Sequence, residues 1–176
     1  ANHYPDCTQN VQPYCELLRQ ICLRTATLVA QWQALGFCHG VLNTDNMSVL
    51  GLTLDYGPFQ FLDSYVPEHI CNHSDTQGRY AYHRQPHVVL WNLHALGQAL
   101  MPLCRDSDAA LQALHHYGPA FNQAWRQLMG AKLGLSDFSA EDETQLLRPL
   151  LRLLAQQGLD YPIFWRRLSQ GLPGTV

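Results

Sequence analysis

"HGVLNTDNMSVLGLTLDYG", His39 to Gly57, sets a histidine, an Asp-Asn pair and an Asp-x-Gly along one short stretch. Between the polar ends lie two short apolar runs on either side of Gly51, which read as a small β-hairpin. A hairpin returns its ends to each other. Asn46 at its entry and Asp55 at its exit are therefore expected within a few side-chain lengths. A carboxylate and an amide oxygen so placed are hard donors of the kind Mg²⁺ or Mn²⁺ takes. Asp45 offers a second carboxylate beside them, and Gly57 leaves the backbone bare where a phosphate could approach. Taken singly, each of these residues also fits the cap of a turn. It is the joint pattern that points to a site.

The chain on either side reads as mainly helical. Pro13 to Leu35 predicts a long helix, with Pro13 in its first turn and Leu18, Ile21, Cys22, Thr25, Leu28, Val29 and Trp32 on one face. Gly36 is its expected stop. Phe59 to Gln85 is rich in Pro, Gly, Asn, Asp and His, and reads as a long irregular segment that still packs through Phe61, Tyr65, Ile70, Tyr80 and Tyr82. Helices are expected from Pro86, with Val89, Leu93, Leu96 and Leu100 on one face, from Asp106 to a stop at Gly118, and from Pro119 to Leu133. Ser139 and Asp142 have capping-box spacing ahead of another helix that Pro149 interrupts, and a short helix closes the pattern over Tyr161 to Gln170. No Gly-rich phosphate loop and no βαβ unit is visible.

Length and composition set the outer limits. The chain has 176 residues, 47% of them hydrophobic, enough for one compact domain. Eleven basic residues against 14 acidic ones form no run, which excludes the usual electrostatic footprint for nucleic acid or an anionic membrane. No apolar stretch approaches the roughly 20 residues that span a bilayer, and no signal peptide is visible at the start. Six widely spaced cysteines without a C-x-x-C read as free thiols in a reducing, cytoplasmic setting. The start without Met and the end at "GLPGTV" read as a piece of a longer protein.

Three further features have bland readings. His39 is expected to pack and hydrogen-bond backbone, and Cys38 to be a small buried hydrophobe. In "HICNHSD", His69, Cys71, His73 and Asp75 alternate like ligands along a strand, but no second ligand pair accompanies them, so loop anchoring or substrate contact is favoured over zinc. Tyr80, Tyr82 and Trp91 are read as core rather than as a stacking platform, because no basic groove goes with them.

The His39-to-Asn46 spacing is that of the protein-kinase catalytic loop, H-R-D-x-x-x-x-N, and "DYG" stands where kinases carry their metal-binding Asp. The position of the kinase base is Val41, which accepts no proton. With "RTATLVAQWQALGFCHGVLNTDNMSVLGLTLDYGPF", "FLDSYVPEHICNHSDTQGRYAYHRQP" and "WNLHALGQAL", the chain from Arg24 to Leu103 resembles the selenoprotein O (SelO, or YdiU) family of kinase-like proteins. Val66 departs from the family pattern, where an acidic residue is expected, away from the site.

The resemblance implies a protein-kinase-like C-lobe and a transferase that moves AMP from ATP, or UMP from UTP with Mn²⁺, to Ser, Thr or Tyr hydroxyls of proteins. It implies that Asp45 is the proton-accepting catalytic carboxylate, Asn46 a metal ligand, and Asp55 a ligand to metal and nucleotide phosphate. It also implies an N-lobe with a phosphate-covering loop, a Lys and its acidic partner. None of these is visible here, and Lys132 lies too far downstream to serve. Half an active site is expected, in a fragment inactive by itself. The rival readings are a non-catalytic kinase-like nucleotide-binding or interaction module, and a purely helical interaction domain.

Overall fold

The structure, a computed structural model, describes residues 3–171; the terminal "GLPGTV" lies almost wholly outside them. Helix α1 runs Pro13–Leu35 and ends at Gly36, whose left-handed φ of 74° turns the chain at no steric cost. Its buried face carries Leu18, Ile21, Cys22, Ala26, Val29 and Trp32. Each fully buried aliphatic side chain there contributes about 1.5–3 kcal/mol relative to exposure. That stripe makes α1 the central element. It packs most extensively on α4 (Tyr117–Leu133) and also touches α2 (Gln85–Cys104) and α3 (Ser107–His115).

After Gly36 come β1 (Phe37–Cys38) and, much later, β2 (Gln60–Phe61), which pair antiparallel with Phe37 opposite Phe61. The pairing extends by Leu62 N–H to the Gly36 carbonyl, 2.8 Å. The motif from His39 to Phe59 is thus a long loop closed at its base by a two-stranded ribbon. The hairpin expected about Gly51 shrinks to a single antiparallel bridge, Met47 with Thr53. Its cause is local: Thr44–Asn46 winds into a 3₁₀ turn on one side, and Asp55 takes a left-handed φ of 53° on the other. The Leu54 carbonyl, moreover, bonds a histidine ring instead of a ladder partner.

The carboxyl-terminal half follows its caps. Asp106 accepts the amides of Asp108 and Ala109 at the start of α3. Gly118 does not stop that helix; the break falls at His116, and Gly118 sits in the first turn of α4. Ser139 and Asp142 form the capping box at α5 (Ala140–Asp142). A π-turn, Glu143–Leu147, joins it to α6 (Arg148–Gln157). Pro149 lacks the N–H that a continuous α-helix would use there, and the wider turn accommodates that loss. Helix α7 (Tyr161–Ser169) returns to the ribbon: Tyr161 N–H bonds the Asp63 carbonyl at 2.7 Å, and its ring stacks on Tyr65. Lys132 lies over the rings of Tyr161 and Trp165, a structural use for that side chain.

All six cysteines are free thiols, four of them buried. Burial pushes the Cys22 thiol up to about 12, which keeps it protonated and unreactive. Among the described residues, no helix is long and apolar enough to cross a membrane.

Candidate functional site

The loop is built outward from buried amides. Gln85, fully buried at the start of α2, accepts the His39 N–H at 2.8 Å and donates to the Phe37 carbonyl at 2.9 Å. Asn92, about two turns further along α2, donates to the Leu42 carbonyl at 2.9 Å. These two side chains take backbone groups of Phe37, His39 and Leu42 that β2, the one strand neighbour of this segment among the described residues, does not reach. Neither was singled out from the sequence. Their signal was weak but present: an amide at each of two positions bordering the apolar stripe of α2.

His39 is 1% exposed and works within this frame. Its Nε2–H donates to the Leu54 carbonyl at 2.7 Å, which leaves Nδ1 to accept the Val41 N–H at 3.4 Å. The ring packs against Trp32 and Phe37, and the Trp32 indole donates to Thr53 Oγ1 at 3.0 Å. Burial lowers the His39 pKa, while the Leu54 carbonyl and the nearby Asp55 charge oppose that shift. The unfolded chain therefore binds the proton more readily than the folded one. Stability from this residue is fully present above the ordinary imidazole value of 6.5 and is lost as pH falls through the folded pKa. Urea midpoints should drop more steeply between about pH 7.5 and 5 for the wild-type chain than for His39→Gln. Parallel pH profiles would contradict this.

Gly40 follows, with φ of 84°. A Cβ there would lie 2.7 Å from Cys71 Sγ and 3.1 Å from Pro58 Cγ. Gly40→Ala should therefore cost about 1–3 kcal/mol, from left-handed strain and the clash together, read as a lowered urea midpoint. An unchanged midpoint would contradict the packing described.

The candidate ligands hang from this scaffold. Asn46 Nδ2 donates to the Val41 carbonyl at 3.1 Å, and Asn46 N–H closes the 3₁₀ turn onto Asn43. With the amide nitrogen so held, the amide oxygen turns away from Val41 and makes no hydrogen bond among the described residues. Asp55 follows Leu54, whose carbonyl is fixed by His39. Its own carbonyl accepts Gly57 N–H at 2.8 Å, a tight turn that presents an exposed carboxylate. Asn46 and Asp55 are thus both tied to the one segment 39–41, by Val41 and by His39. The Met47–Thr53 bridge joins them on the other side. Asp45 is exposed at the middle of the 3₁₀ turn. Asp45, Asn46 and Asp55 thus offer three hard oxygen donors whose side-chain oxygens have no hydrogen-bond partner among the described residues, the donor type a divalent cation takes. Among the described residues no group of three or more His, Cys, Asp or Glu gathers; this set is two carboxylates and an amide.

The "HICNHSD" segment is irregular, with one turn at His73 and Ser74, so its alternation has no strand on which to act. It anchors the loop instead. His69 Nε2 meets Gln60 Oε1 at 3.0 Å, the Cys71 thiol donates to the Cys38 carbonyl, and Asn72 Nδ2 donates to the Gly40 carbonyl at 3.1 Å. The Asp75 carboxylate accepts the amides of Arg79 and Tyr80. Cys38 is fully buried; its contact with Cys71 and its burial push its thiol up. Of the aromatic run, Tyr82 is core, 3% exposed, but Trp91 is 56% exposed beneath the Arg79 guanidinium. The expectation of a core Trp91 fails because residue 91 lies on the face of α2 opposite Val89 and Leu93.

The family profile described as Protein adenylyltransferase SelO matches residues 1–173. The chain is 56% identical over 173 residues to a protein of Albidiferax ferrireducens named Protein nucleotidyltransferase YdiU, with 94% of this chain and 35% of that protein covered. Proteins of the same name from Variovorax paradoxus and Cupriavidus metallidurans are 54% and 51% identical, over 98% and 96% of the chain and 35% and 33% of their own lengths. The chain therefore spans about a third of the length of the curated relatives it matches.

Proposed function

The chain belongs to the SelO family of protein adenylyltransferases, and from that premise we propose that it is the catalytic-loop portion of a protein nucleotidyltransferase, with the architecture of a protein-kinase-like C-lobe. The reaction is transfer of a nucleoside monophosphate, AMP from ATP or UMP from UTP, to Ser, Thr or Tyr hydroxyls of proteins. One observation carries the site assignment: Asn46 and Asp55 hang from the same buried segment, 39–41, with oxygens free of internal partners.

Asn46 and Asp55 would hold Mg²⁺ or Mn²⁺, and Asp55 would meet the nucleotide phosphates through that cation. When bound, the cation supplies counter-charge to the phosphates. Asp45 accepts the proton of the attacking hydroxyl; the new bond forms between that oxygen and the α-phosphorus, and the bond to pyrophosphate breaks. The rigidity of the loop is its own contribution, because positioning of reactants carries much of phosphoryl-transfer catalysis. The remaining nucleotide contacts fall to the parts of the longer protein outside this chain, so the chain alone would bind nucleotide weakly and turn nothing over.

A non-catalytic nucleotide-binding module is the second reading. Val41 at the kinase-base position favours it, since that residue's polar contacts here are backbone alone, its N–H to His39 Nδ1 and its carbonyl to Asn46. Incubating the full-length protein with α-labelled ATP or UTP and Mn²⁺ separates the two. Metal-dependent label on protein is expected for the transferase; bound but unincorporated nucleotide would favour the module.

A further inference from the structure

Arg84, His87, Val88 and Trp91 recur at i, i+3, i+4 and i+7, one stripe along the first two turns of α2. With Gln77 and Arg79 they line an open groove. Trp91 is among its exposed lining residues, and the Arg79 guanidinium lies 5.3 Å from the centre of the indole and 5.6 Å from that of the Tyr80 ring. Arg84 points its Nη1 to the carbonyls of Gln77 and Gly78, fixing the loop that carries Arg79. Neither arginine has a carboxylate partner among the described residues. The nearest acidic group in sequence, Asp75, has both oxygens occupied by the Arg79 and Tyr80 amides. No side chain caps the amino end of α2, whose dipole adds positive potential at the same place. On a chain of net charge −3, this is a local concentration of the opposite sign.

The groove is also coupled to the candidate site. The Tyr80 hydroxyl donates to Asn43 Oδ1 at 2.5 Å, and Asn43 opens the 3₁₀ turn that carries Asp45 and Asn46. Whatever covers Arg79 and Trp91 therefore lies beside the loop at which an acceptor hydroxyl would arrive.

We propose that the Arg79–Trp91 groove docks an acidic segment of the acceptor protein, with carboxylates on Arg79 and Arg84 and apolar stems on Trp91. An exposed tryptophan under an arginine is the composition of a binding hot spot, and unpaired arginines match carboxylates in bidentate geometry. The inference names the substrate class for the transferase reading and rests on it for its biological meaning. Its test does not depend on turnover.

Full-length wild-type protein, Arg79→Glu and Trp91→Ala are titrated against a fluorescein-labelled Glu-rich peptide containing Ser and Tyr, and against its Gln-for-Glu analogue, by anisotropy. The wild type should prefer the Glu peptide, and the preference should shrink as salt shortens the Debye length from about 8 to 3 Å. Arg79→Glu should weaken that binding about tenfold, with Trp91→Ala intermediate. Circular dichroism checks that both variants fold; if one does not, Arg79→Gln, which keeps the size and removes the charge, replaces it. Equal affinity for the two peptides, equal binding by wild type and Arg79→Glu, or tighter capture of a fluorescein-labelled oligo(dT) overturns the proposal. Selective peptide binding without nucleotide incorporation would instead overturn the transferase reading and leave the docking groove standing.

Discussion

Replacing Asp55 in the full-length protein is expected to abolish nucleotide transfer, a fall of about 10³-fold or more. The carboxylate is the one charged donor that the loop holds in a left-handed turn directly after the Leu54 carbonyl fixed by His39. Removing it would leave the triphosphate charge without its anchored counter-ion. Asp55→Ala also carries a backbone cost, about 1 kcal/mol, because alanine adopts the left-handed region less readily than Asp or Asn. Asp55→Asn keeps that preference and most of the shape, and so isolates the charge. Both variants should retain the wild-type circular dichroism. Folded Asp55→Asn with near-normal, metal-dependent incorporation of labelled nucleotide would sink the assignment.

Asp45→Ala should lower the rate of transfer by about 10²–10⁴-fold, the usual contribution of a positioned acid or base. Its side chain makes no hydrogen bond among the described residues, and its backbone lies in a turn closed by Asn43 and Asn46. Loss of the carboxylate should thus leave the fold intact. The nucleotide KM should stay close to wild type while kcat falls, since Asp45 is assigned to the acceptor proton rather than to the phosphates. A raised nucleotide KM with unchanged kcat would reassign Asp45 to binding.

Which parts of this were legible in the sequence follows from how local their causes are. Helix α1 was readable to both ends because a proline, an apolar stripe and a glycine stop each act within a turn. The capping box at Ser139 was readable for the same reason. The hairpin about Gly51 was over-read. Its apolar alternation is real, but the 3₁₀ turn at Thr44–Asn46 and the left-handed Asp55 bound it on either side, and the His39 ring takes the Leu54 carbonyl that a ladder would have used. Gly118 was misread as a stop because the break at His116 depends on how α3 and α4 pack on α1. Gln85 and Asn92 were invisible as supports, since their partners are backbone carbonyls some 50 positions away, a separation that periodicity does not register. Trp91 was assigned to the core by residue type, whereas the helical phase of α2 turns it outward.

On the proposed reading, Asn46 and Asp55 form one divalent-cation site serving the nucleotide. Electron spin resonance of Mn²⁺ titrated into the full-length protein with a non-hydrolysable ATP analogue reads it directly, because free aqueous Mn²⁺ gives a sharp signal that broadens when the ion is held by protein. Wild type should remove Mn²⁺ from the free pool, whereas Asn46→Ala and Asp55→Asn, both folded, should leave it largely free at the same concentrations. Equal depletion by all three proteins would place the metal elsewhere and contradict the site.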